Sequence, residues 1–111
     1  DFWGSVDTEV TADLLSVGIG EEVTAEELDR AGERIWTLSR LFNLQNGFGA
    51  KEDRLPEKVL KNPLKKGPNA GKTFNPEDFS IALASYYRKR GWDEQGHPSE
   101  ARLAELGLGQ L

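Results

Sequence analysis

The chain has 111 residues, of which 19 are acidic and 14 are Lys or Arg, and its formal net charge is −5 at pH 7. A dedicated nucleic-acid binder is not expected, because such domains are basic. No apolar run approaches the roughly 20 residues that span a bilayer, and no signal peptide is expected. Without any cysteine, the chain can hold neither a disulfide nor a thiolate-bound metal or iron–sulfur cluster by itself.

Charge is unevenly distributed along the sequence. Residues 1–33 contain ten Asp or Glu and only one basic residue, Arg30, whereas residues 51–72 contain seven Lys or Arg and three acids. The first segment therefore carries a charge of −9 and the second a charge of +4. A basic segment in an acidic chain is typical of a solvated loop or of a docking face.

Apolar residues at helical spacing predict a short first helix that ends before Gly18. Asp7 or Thr8 is expected to cap its start, and the Gly18-Ile19-Gly20 sequence is expected to end it. The apolar positions are Val6, Val10, Leu14 and Val17.

The second predicted helix, between Thr24 and Gly47, is the element on which the other helices are expected to assemble. Thr24 and Glu27 have the spacing of a capping box, and Val23 and Leu28 stand where a hydrophobic staple would form. Gly47 supplies a left-handed stop. Both ends of this long helix are therefore predicted from local signals.

One apolar stripe of the long helix is predicted to form the core of the domain. Its members recur at steps of three and four and are Leu28, Ala31, Ile35, Leu38 and Phe42. On this hypothesis, replacing Ile35 or Leu38 by alanine costs about 2–5 kcal/mol. Alanine in place of Arg30, on the opposite face, would change stability by no more than about 0.5 kcal/mol.

Three further apolar residues, Trp36, Leu41 and Leu44, lie off this stripe, so the C-terminal half of the helix is apolar nearly all round. Such a helix is expected to be covered on more than one side. The cover is either the body of a larger protein or residues 62–75 and 76–90 folding back over this side.

The elements after the long helix are short and are separated by glycine and proline. Pro56 opens a short helical turn that Pro63 limits to about two windings. Residues 62–75 have no apolar period and are predicted to form a long irregular Pro/Gly arm. A helix then begins at Pro76 and ends at Gly91.

The apolar arc of that helix consists of Phe79, Ala82, Leu83, Tyr86 and Tyr87. A turn is predicted from Trp92 to Pro98, followed by a last short helix that Ser99 caps, with Leu103 and Leu106 inward.

No period-two pattern persists anywhere, so the predicted fold class is all-α. We expect residues 1–111 to form a single multihelical domain with one long central helix. The chain also has no methionine, which favours its being a piece of a longer protein.

Two features resemble chemical sites without having the surroundings that chemistry needs. Residues 67–73 are similar to a phosphate-binding loop, but three residues separate the two glycines where the motif needs four. No strand precedes them and Pro76 follows closely, so nucleotide binding is not expected. His97 is the only histidine and lies in a Gly-His-Pro turn, where an exposed residue without a role is expected.

Two groups of charged residues have structural explanations that compete with functional ones. The first group is Glu22, Glu26, Glu27, Asp29 and Glu33, around the start of the long helix. The helix dipole accounts for these acids without a metal. The second group is Arg34, Arg40, Arg88 and Arg90. Carboxylate binding and aromatic stacking are open to these arginines, and interdomain salt bridges are the simpler expectation. No constellation suffices for catalysis, so no catalytic residue and no metal ligand is predicted.

Five segments carry a family resemblance through their order and spacing. They are GERIWTLSRLFNLQNGF (32–48), KEDRLPEKVLKNPL (51–64), GPNAGK (67–72), SYYRKRGWDEQGHP (85–98) and ARLAELGL (101–108). Together they resemble the C-terminal end of tungsten-dependent aldehyde:ferredoxin oxidoreductases over about residues 20 to 109. Each segment alone is common in proteins, but the five in this order are specific to the family.

The resemblance implies a parent enzyme that oxidises aldehydes to carboxylic acids. It implies tungsten, or molybdenum in some relatives, on a bis-pterin (molybdopterin) cofactor, and one [4Fe–4S] cluster that passes electrons to ferredoxin. Family members ligate the cluster with four cysteines and this chain has none, so the cluster site is expected outside this chain. The resemblance implies that the last of those cysteines comes shortly upstream of a segment like this one, so Asp1 is expected to begin just beyond the cofactor site. The catalytic glutamate and histidine of the family also belong to earlier segments, and His97 does not match that histidine. The chain itself is expected to bind no cofactor.

The partners implied by the resemblance are the remaining domains of the parent enzyme and, through it, ferredoxin in the cytoplasm. Nucleic acid and membrane are not expected partners. The alternative is a free-standing helical interaction module without catalytic activity, which binds a partner through Trp36, Leu41 and Leu44. A cluster motif of spaced cysteines in the upstream coding sequence would distinguish the two.

Overall fold

A computed structural model describes residues 7–109, which form five helices. These are α1 (Thr8–Ile19), α2 (Ala25–Gln45), α3 (Glu57–Lys61), α4 (Pro76–Arg90) and α5 (Glu100–Glu105). Within the described residues no strand forms, and strand-type pairing is limited to an isolated bridge between Trp92 and Pro98. The all-α fold class is confirmed. Val6, at the start of the predicted first helix, lies outside the described residues.

Helix α1 begins as predicted and ends slightly later than predicted. The Asp7 side chain accepts a hydrogen bond from the backbone N–H of Glu9. The helix continues through Gly18 and ends at Gly20, whose φ of 76° is left-handed. Glycine inside a helix costs only about 1 kcal/mol relative to alanine, so Gly18 does not stop α1. A positive φ is needed only at Gly20.

Helix α2 has the predicted caps. The Thr24 hydroxyl accepts the N–H of Glu27 at 3.2 Å, and the Glu27 carboxylate accepts the N–H of Thr24 at 2.9 Å. The helix ends at Gln45, and Gly47 has a φ of 82°. Its N-terminal end is joined to α1, because the backbone N–H of Val23 donates to the Ser16 hydroxyl at 2.8 Å.

The predicted core stripe of α2 was wrong for this chain. Ile35 is 65% exposed, Phe42 is 66% exposed and Leu38 is 40% exposed, whereas the buried residues of α2 are Thr37 and Arg40. Glu33 and Arg40, on a different face of α2, bind α4, α5 and the turn around Gly96, whereas Ile35, Leu38 and Phe42 are left largely uncovered. In the isolated chain, Ile35→Ala is therefore expected to change stability by about 0.5 kcal/mol, as at other surface positions.

The three off-stripe residues are only partly covered. Trp36 is 51% exposed, and Leu41 and Leu44 are half-buried. Helix α4 provides part of the cover, since the Trp36 indole N–H donates to the Tyr86 hydroxyl. Folding back of the later residues therefore covers this side in part.

The segment after α2 contains a short helix and a closed loop. Pro56 precedes α3, which ends at Lys61, before Pro63. Residues 62–75 contain no helix or strand, as predicted. They are nevertheless ordered by two backbone hydrogen bonds, from Leu64 N–H to the Lys72 carbonyl at 3.0 Å and from Gly71 N–H to the Leu64 carbonyl at 2.8 Å.

The last two helices have the predicted caps. Asn75 accepts the N–H of Glu77 at 2.9 Å, and α4 ends at Gly91 with a φ of 71°. Ser99 accepts the N–H of Arg102 at 3.2 Å at the start of α5. The small core lies where α2, α4 and the C-terminal segment meet, with Ala12 buried separately on α1. Its buried apolar residues are Tyr87, Trp92, Leu106 and Leu108.

The chain is open for its size. Its accessible surface is 9109 Å², whereas a compact monomer of this length exposes about 6,100 Å². Its radius of gyration is 18.3 Å, compared with about 13 Å for a compact domain. Much of the apolar surface that a domain of this size normally buries is therefore exposed.

Candidate functional site

The best-formed polar site in the described residues is built on Arg40, in the C-terminal half of α2. Its side chain is 8% exposed. Nε donates to the Gly96 carbonyl at 2.8 Å, while Nη1 and Nη2 donate to the two carboxylate oxygens of Asp53 at 3.0 and 2.6 Å. This bidentate geometry is the one in which a guanidinium binds a carboxylate most strongly. Arg40 therefore joins α2 to two separate turns.

Two aromatic residues complete what we call the Arg40 cluster, which consists of Arg40, Asp53, Tyr87, Trp92 and Gly96. The Tyr87 hydroxyl donates to the carboxylate of Asp53. The guanidinium carbon of Arg40 lies 5.7 Å from the centroid of the Tyr87 ring and 5.0 Å from that of Trp92. These distances are within the range of cation–π attraction. Helix α4 and the turn after it are thus held to α2 by a buried cation.

Gly96 is required by the shape of this cluster. Its φ is 73°, and a Cβ at this position would overlap Nη2 of Arg40 and the ring of Tyr87. The turn around it is fixed by Asp93, whose carboxylate accepts the N–H groups of Gln95 and His97 at 2.9 Å each. Only glycine lets the backbone approach the guanidinium this closely.

The cation and the anion of the Arg40 cluster are paired with each other. Burial by itself would raise the pKa of Asp53, but hydrogen bonds from Arg40 and Tyr87 outweigh burial and lower the pKa below its usual value. Burial, together with the hydrogen bond to Asp53, raises the pKa of Tyr87 to about 12. At neutral pH the cluster therefore holds a cation, an anion and a neutral phenol. None of these groups is poised to transfer a proton near pH 7, so the cluster is suited to holding the fold and not to acid–base catalysis.

Tyr87 should make the stability of the domain fall at alkaline pH. Its pKa is about 12 in the folded state against an ordinary 10.0. The stabilisation is therefore complete below about pH 10 and is lost as pH rises through about 12. Absorbance titration of tyrosinate should show a late step that Tyr87→Phe removes and Tyr86→Phe retains. A late step that survives in Tyr87→Phe would contradict the assignment.

A second charged group connects α2, α4 and α5. The Glu33 carboxylate accepts hydrogen bonds from Arg90 of α4 and from Arg102 of α5, the latter at 3.1 Å. The guanidinium carbon of Arg90 lies 5.6 Å from the ring centroid of Trp36 and 5.3 Å from that of Tyr86. One carboxylate of α2 thus holds two other helices.

The four arginines that the sequence analysis selected make different contacts in the structure. Arg40 and Arg90 combine carboxylate binding with aromatic contact, and their partners lie in this chain. The expectation of interdomain salt bridges was therefore wrong for these two. Arg34 donates to the backbone carbonyl of Leu106. Arg88 is exposed on α4, and among the described residues its side chain makes no ion pair or hydrogen bond.

The acidic residues around the start of α2 have different partners in the structure. Glu27 closes the capping box, and Glu33 pairs with the two arginines. Across residues 7–109, no three His, Asp or Glu side chains are grouped closely enough to hold a metal ion. His97 is exposed, with its Nδ1 3.6 Å from the Asp93 carboxylate.

Sequence reasoning missed Asp53, Tyr87 and Gly96 as members of one site. The helical period places Tyr87 among core residues, and Asp53 is one of several charges in a polar turn. A glycine in the predicted Trp92 to Pro98 turn, next to His97 and Pro98, is the sequence signal that could have indicated a close backbone approach there.

No helix of the described segment has the length and apolar character needed to cross a membrane.

Comparisons with known proteins give one consistent family. The model described as aldehyde ferredoxin oxidoreductase, domains 2 & 3, matches residues 2–108. The tungsten-containing aldehyde ferredoxin oxidoreductase of Pyrococcus furiosus is 40% identical over 100 residues, which are 89% of this chain and 16% of that protein. The Pyrococcus abyssi protein of the same name is 41% identical over 97 residues, 86% of this chain and 16% of that protein. The chain thus spans about a sixth of the length of these curated relatives.

Two further similarities involve proteins with other described substrates. An aliphatic sulfonate oxidoreductase, WOR-like subunit, of Pyrococcus furiosus is 37% identical over 97 residues, 82% of this chain and 15% of that protein. The solved active-site complex BamBC of benzoyl coenzyme A reductase, with 1,5-dienoyl-CoA, is similar with a TM-score of 0.74 and 30% identity. That similarity covers 94% of this chain and 14% of the solved one.

Proposed function

Since the chain belongs to the aldehyde ferredoxin oxidoreductase family, we propose that it is the C-terminal helical domain of a tungstopterin enzyme. That enzyme oxidises aldehydes to carboxylic acids and passes the electrons to ferredoxin in the cytoplasm. The observation that carries the proposal is the 40% identity over 100 residues to a tungsten-containing aldehyde ferredoxin oxidoreductase. The parent would be several times longer than this chain, since the chain corresponds to 16% of that relative.

Within the parent, residues 1–111 would act as one structural domain that packs beside the cofactor site. The Arg40 cluster supports this role, because its charges are matched internally and offer no free acid or base. The exposed stripe of Ile35, Leu38 and Phe42 supports it further, since contiguous apolar surface in monomers is usually in use. A free-standing interaction module does not explain the family match over residues 2–108.

The residues of this chain do not fit the cofactors of the proposed parent. A [4Fe–4S] cluster needs cysteine thiolates and the chain has none. Its described residues also hold no acid or histidine group placed for a metal. The bis-pterin tungsten would supply the redox chemistry and the cluster would supply electron transfer. Both would be bound by other segments of the parent.

The test compares the parent enzyme with the isolated chain. The parent should contain tungsten and iron and should reduce a viologen dye when an aldehyde is added. The isolated chain should contain neither metal and should show no turnover. Stoichiometric tungsten or iron in the isolated chain would contradict the structural role, and a parent that is inactive with every aldehyde would contradict the proposed reaction.

A second candidate substrate class is a coenzyme A thioester. It is favoured by the similarity to the benzoyl coenzyme A reductase complex over 94% of this chain. The same dye assay distinguishes the two candidates when 1,5-dienoyl-CoA replaces the aldehyde. Dye reduction with the thioester alone would favour the second candidate.

The uncovered stripe of α2 should make the isolated chain bind a hydrophobic dye or self-associate. Ile35→Ser/Phe42→Ser should lower dye fluorescence and shift sedimentation towards the monomer, because both side chains are about two-thirds exposed. Gln45→Ser, at an exposed polar position of the same helix, is the matched control. Equal dye binding by the stripe variant and the control would mean that another surface is responsible.

A further inference from the structure

Helix α3 and the loop that follows it concentrate positive charge. We call residues 58–72 the lysine loop, because they contain five lysines and no acid in a chain whose net charge is −5. All five are exposed: Lys58, Lys61, Lys65, Lys66 and Lys72. Of the five, only Lys61 forms an ion pair in the described residues, with Glu57 at 3.1 Å. The hydrogen bonds between Leu64 and the Gly71-Lys72 peptide close the loop, so the charge is presented on an ordered surface.

Apolar side chains lie among these lysines. Val59, Leu64 and Phe74 are about half exposed, and they line a groove of about 910 Å³ whose walls include Lys58 and Lys65. An apolar centre with a charged rim is the usual composition of a protein-binding surface. Nucleic-acid binding does not require such an apolar centre, and the negative net charge of the chain opposes it.

The lysine loop and the α2 stripe suit different kinds of contact. Ile35, Leu38 and Phe42 bring no charge and fit permanent burial against the body of the parent. Lysine is depleted in the buried centres of interfaces, because its ammonium group must give up water. Five exposed lysines therefore fit a surface that stays in water and meets its partner transiently.

We propose that the lysine loop is the docking surface for a small acidic protein. The proposal rests on the proposed function in one respect, since there the partner is the ferredoxin that accepts the electrons. Opposite charge on the two proteins would speed their encounter and orient them, and Leu64 and Phe74 would make the short-range contact. A small contact that dissociates readily is what repeated electron delivery requires.

The test measures binding of the same organism's ferredoxin to the purified parent enzyme at low and high salt. Lys65→Glu/Lys66→Glu should raise the dissociation constant about tenfold at low salt and flatten its salt dependence. Leu64→Ser should weaken binding at both salt concentrations. The matched control is Lys51→Glu/Lys89→Glu, which makes the same charge change at two exposed lysines outside the loop. This control should leave the dissociation constant within about twofold of the unmodified enzyme.

A separate assay keeps the two proposals apart. Aldehyde-dependent viologen reduction by the loop variants should be unchanged, because a small dye needs no docking surface. If the unmodified parent showed no aldehyde-dependent viologen reduction, the proposed reaction would be contradicted. The binding measurement would still test whether the lysine loop is the docking surface.

Four results would overturn the docking proposal. One is an unchanged dissociation constant in Lys65→Glu/Lys66→Glu, and another is an equal rise in the Lys51→Glu/Lys89→Glu control. The third comes from lysine acetylation of the parent alone. Loop lysines that resist the reagent without ferredoxin would be buried against the parent itself, whereas lysines protected only when ferredoxin is present would support docking. Tighter binding of a DNA duplex than of ferredoxin would also reject an acidic protein as the partner.

Discussion

Replacing Arg40 by methionine is expected to lower the free energy of unfolding by about 2–4 kcal/mol. The substitution keeps much of the side-chain volume but leaves the Asp53 carboxylate without its cation and the Gly96 carbonyl without its donor. Asp53 is 27% exposed, so water compensates part of its loss and the value lies below that of a fully buried pair. Chemical denaturation of the isolated chain measures the difference.

Two further variants separate the pair from its surroundings. Arg88→Met removes an exposed arginine of α4 and should change stability by no more than about 0.5 kcal/mol. Arg40→Met/Asp53→Leu removes both charges and should be more stable than Arg40→Met alone, because no unpaired carboxylate remains. A double variant that is less stable than the single one would show that losing the Tyr87–Asp53 hydrogen bond costs more than leaving the carboxylate without its cation.

Gly96→Ala should be at least as damaging, with an expected loss of about 3 kcal/mol or more. The new Cβ would overlap the Arg40 guanidinium and the Tyr87 ring, neither of which can withdraw without breaking its bonds to Asp53. The left-handed φ of 73° adds strain for any residue with a Cβ. The loss should be accompanied by a change in near-ultraviolet circular dichroism, since Trp92 and Tyr87 lie against the cluster.

Gly71→Ala is the control that isolates the steric part. Gly71 has a φ of 83°, similar to that of Gly96, but a Cβ added to it would have no neighbouring atom within 4 Å. Its substitution should therefore cost only the backbone strain, about 1 kcal/mol. If both substitutions cost the same, close packing of the turn on Arg40 would not be the reason for glycine at position 96.

The ends of the helices could be predicted from the sequence because each end depends on neighbouring residues alone. Thr24 and Glu27 are three positions apart, and their two hydrogen bonds form within a single turn. Asn75 and Ser99 act over similarly short distances. Capping is therefore readable without knowing what the helix packs against. The predicted stop of α1 was wrong because a helix tolerates glycine at position 18 as long as Gly20 can turn it.

The buried face of α2 could not be predicted in the same way. The period of Ile35, Leu38 and Phe42 indicates an apolar face, but it does not say what covers that face. Within this chain the ion pairs that hold α2 to the later segments are made by Arg40 and Glu33, which the sequence pattern places among polar positions. An apolar stripe and a buried face coincide only when the chain contains its own cover.

The Arg40 cluster was beyond prediction for a related reason. Its carboxylate is 13 residues and its carbonyl acceptor is 56 residues from Arg40. Each of these residue types is common, and only the fold brings them to one place. The family resemblance was more informative than any single residue, because it depends on the order of five segments and not on their contacts.

The separation of these partners along the chain also sets the order in which the domain can fold. The Ser16 to Val23 hydrogen bond spans 7 residues, so α1 and the start of α2 can associate early. Arg40 can form its hydrogen bond to Gly96 only after 56 more residues have been synthesised. Glu33 can bind Arg102 only after 69 more residues. During synthesis, α2 therefore emerges from the ribosome long before the residues that hold its polar face, and its apolar stripe is exposed at the same time. The turn around Gly96 then packs on the Arg40 face only, so the stripe of Ile35 and Phe42 stays exposed after the last residue of this chain has been added.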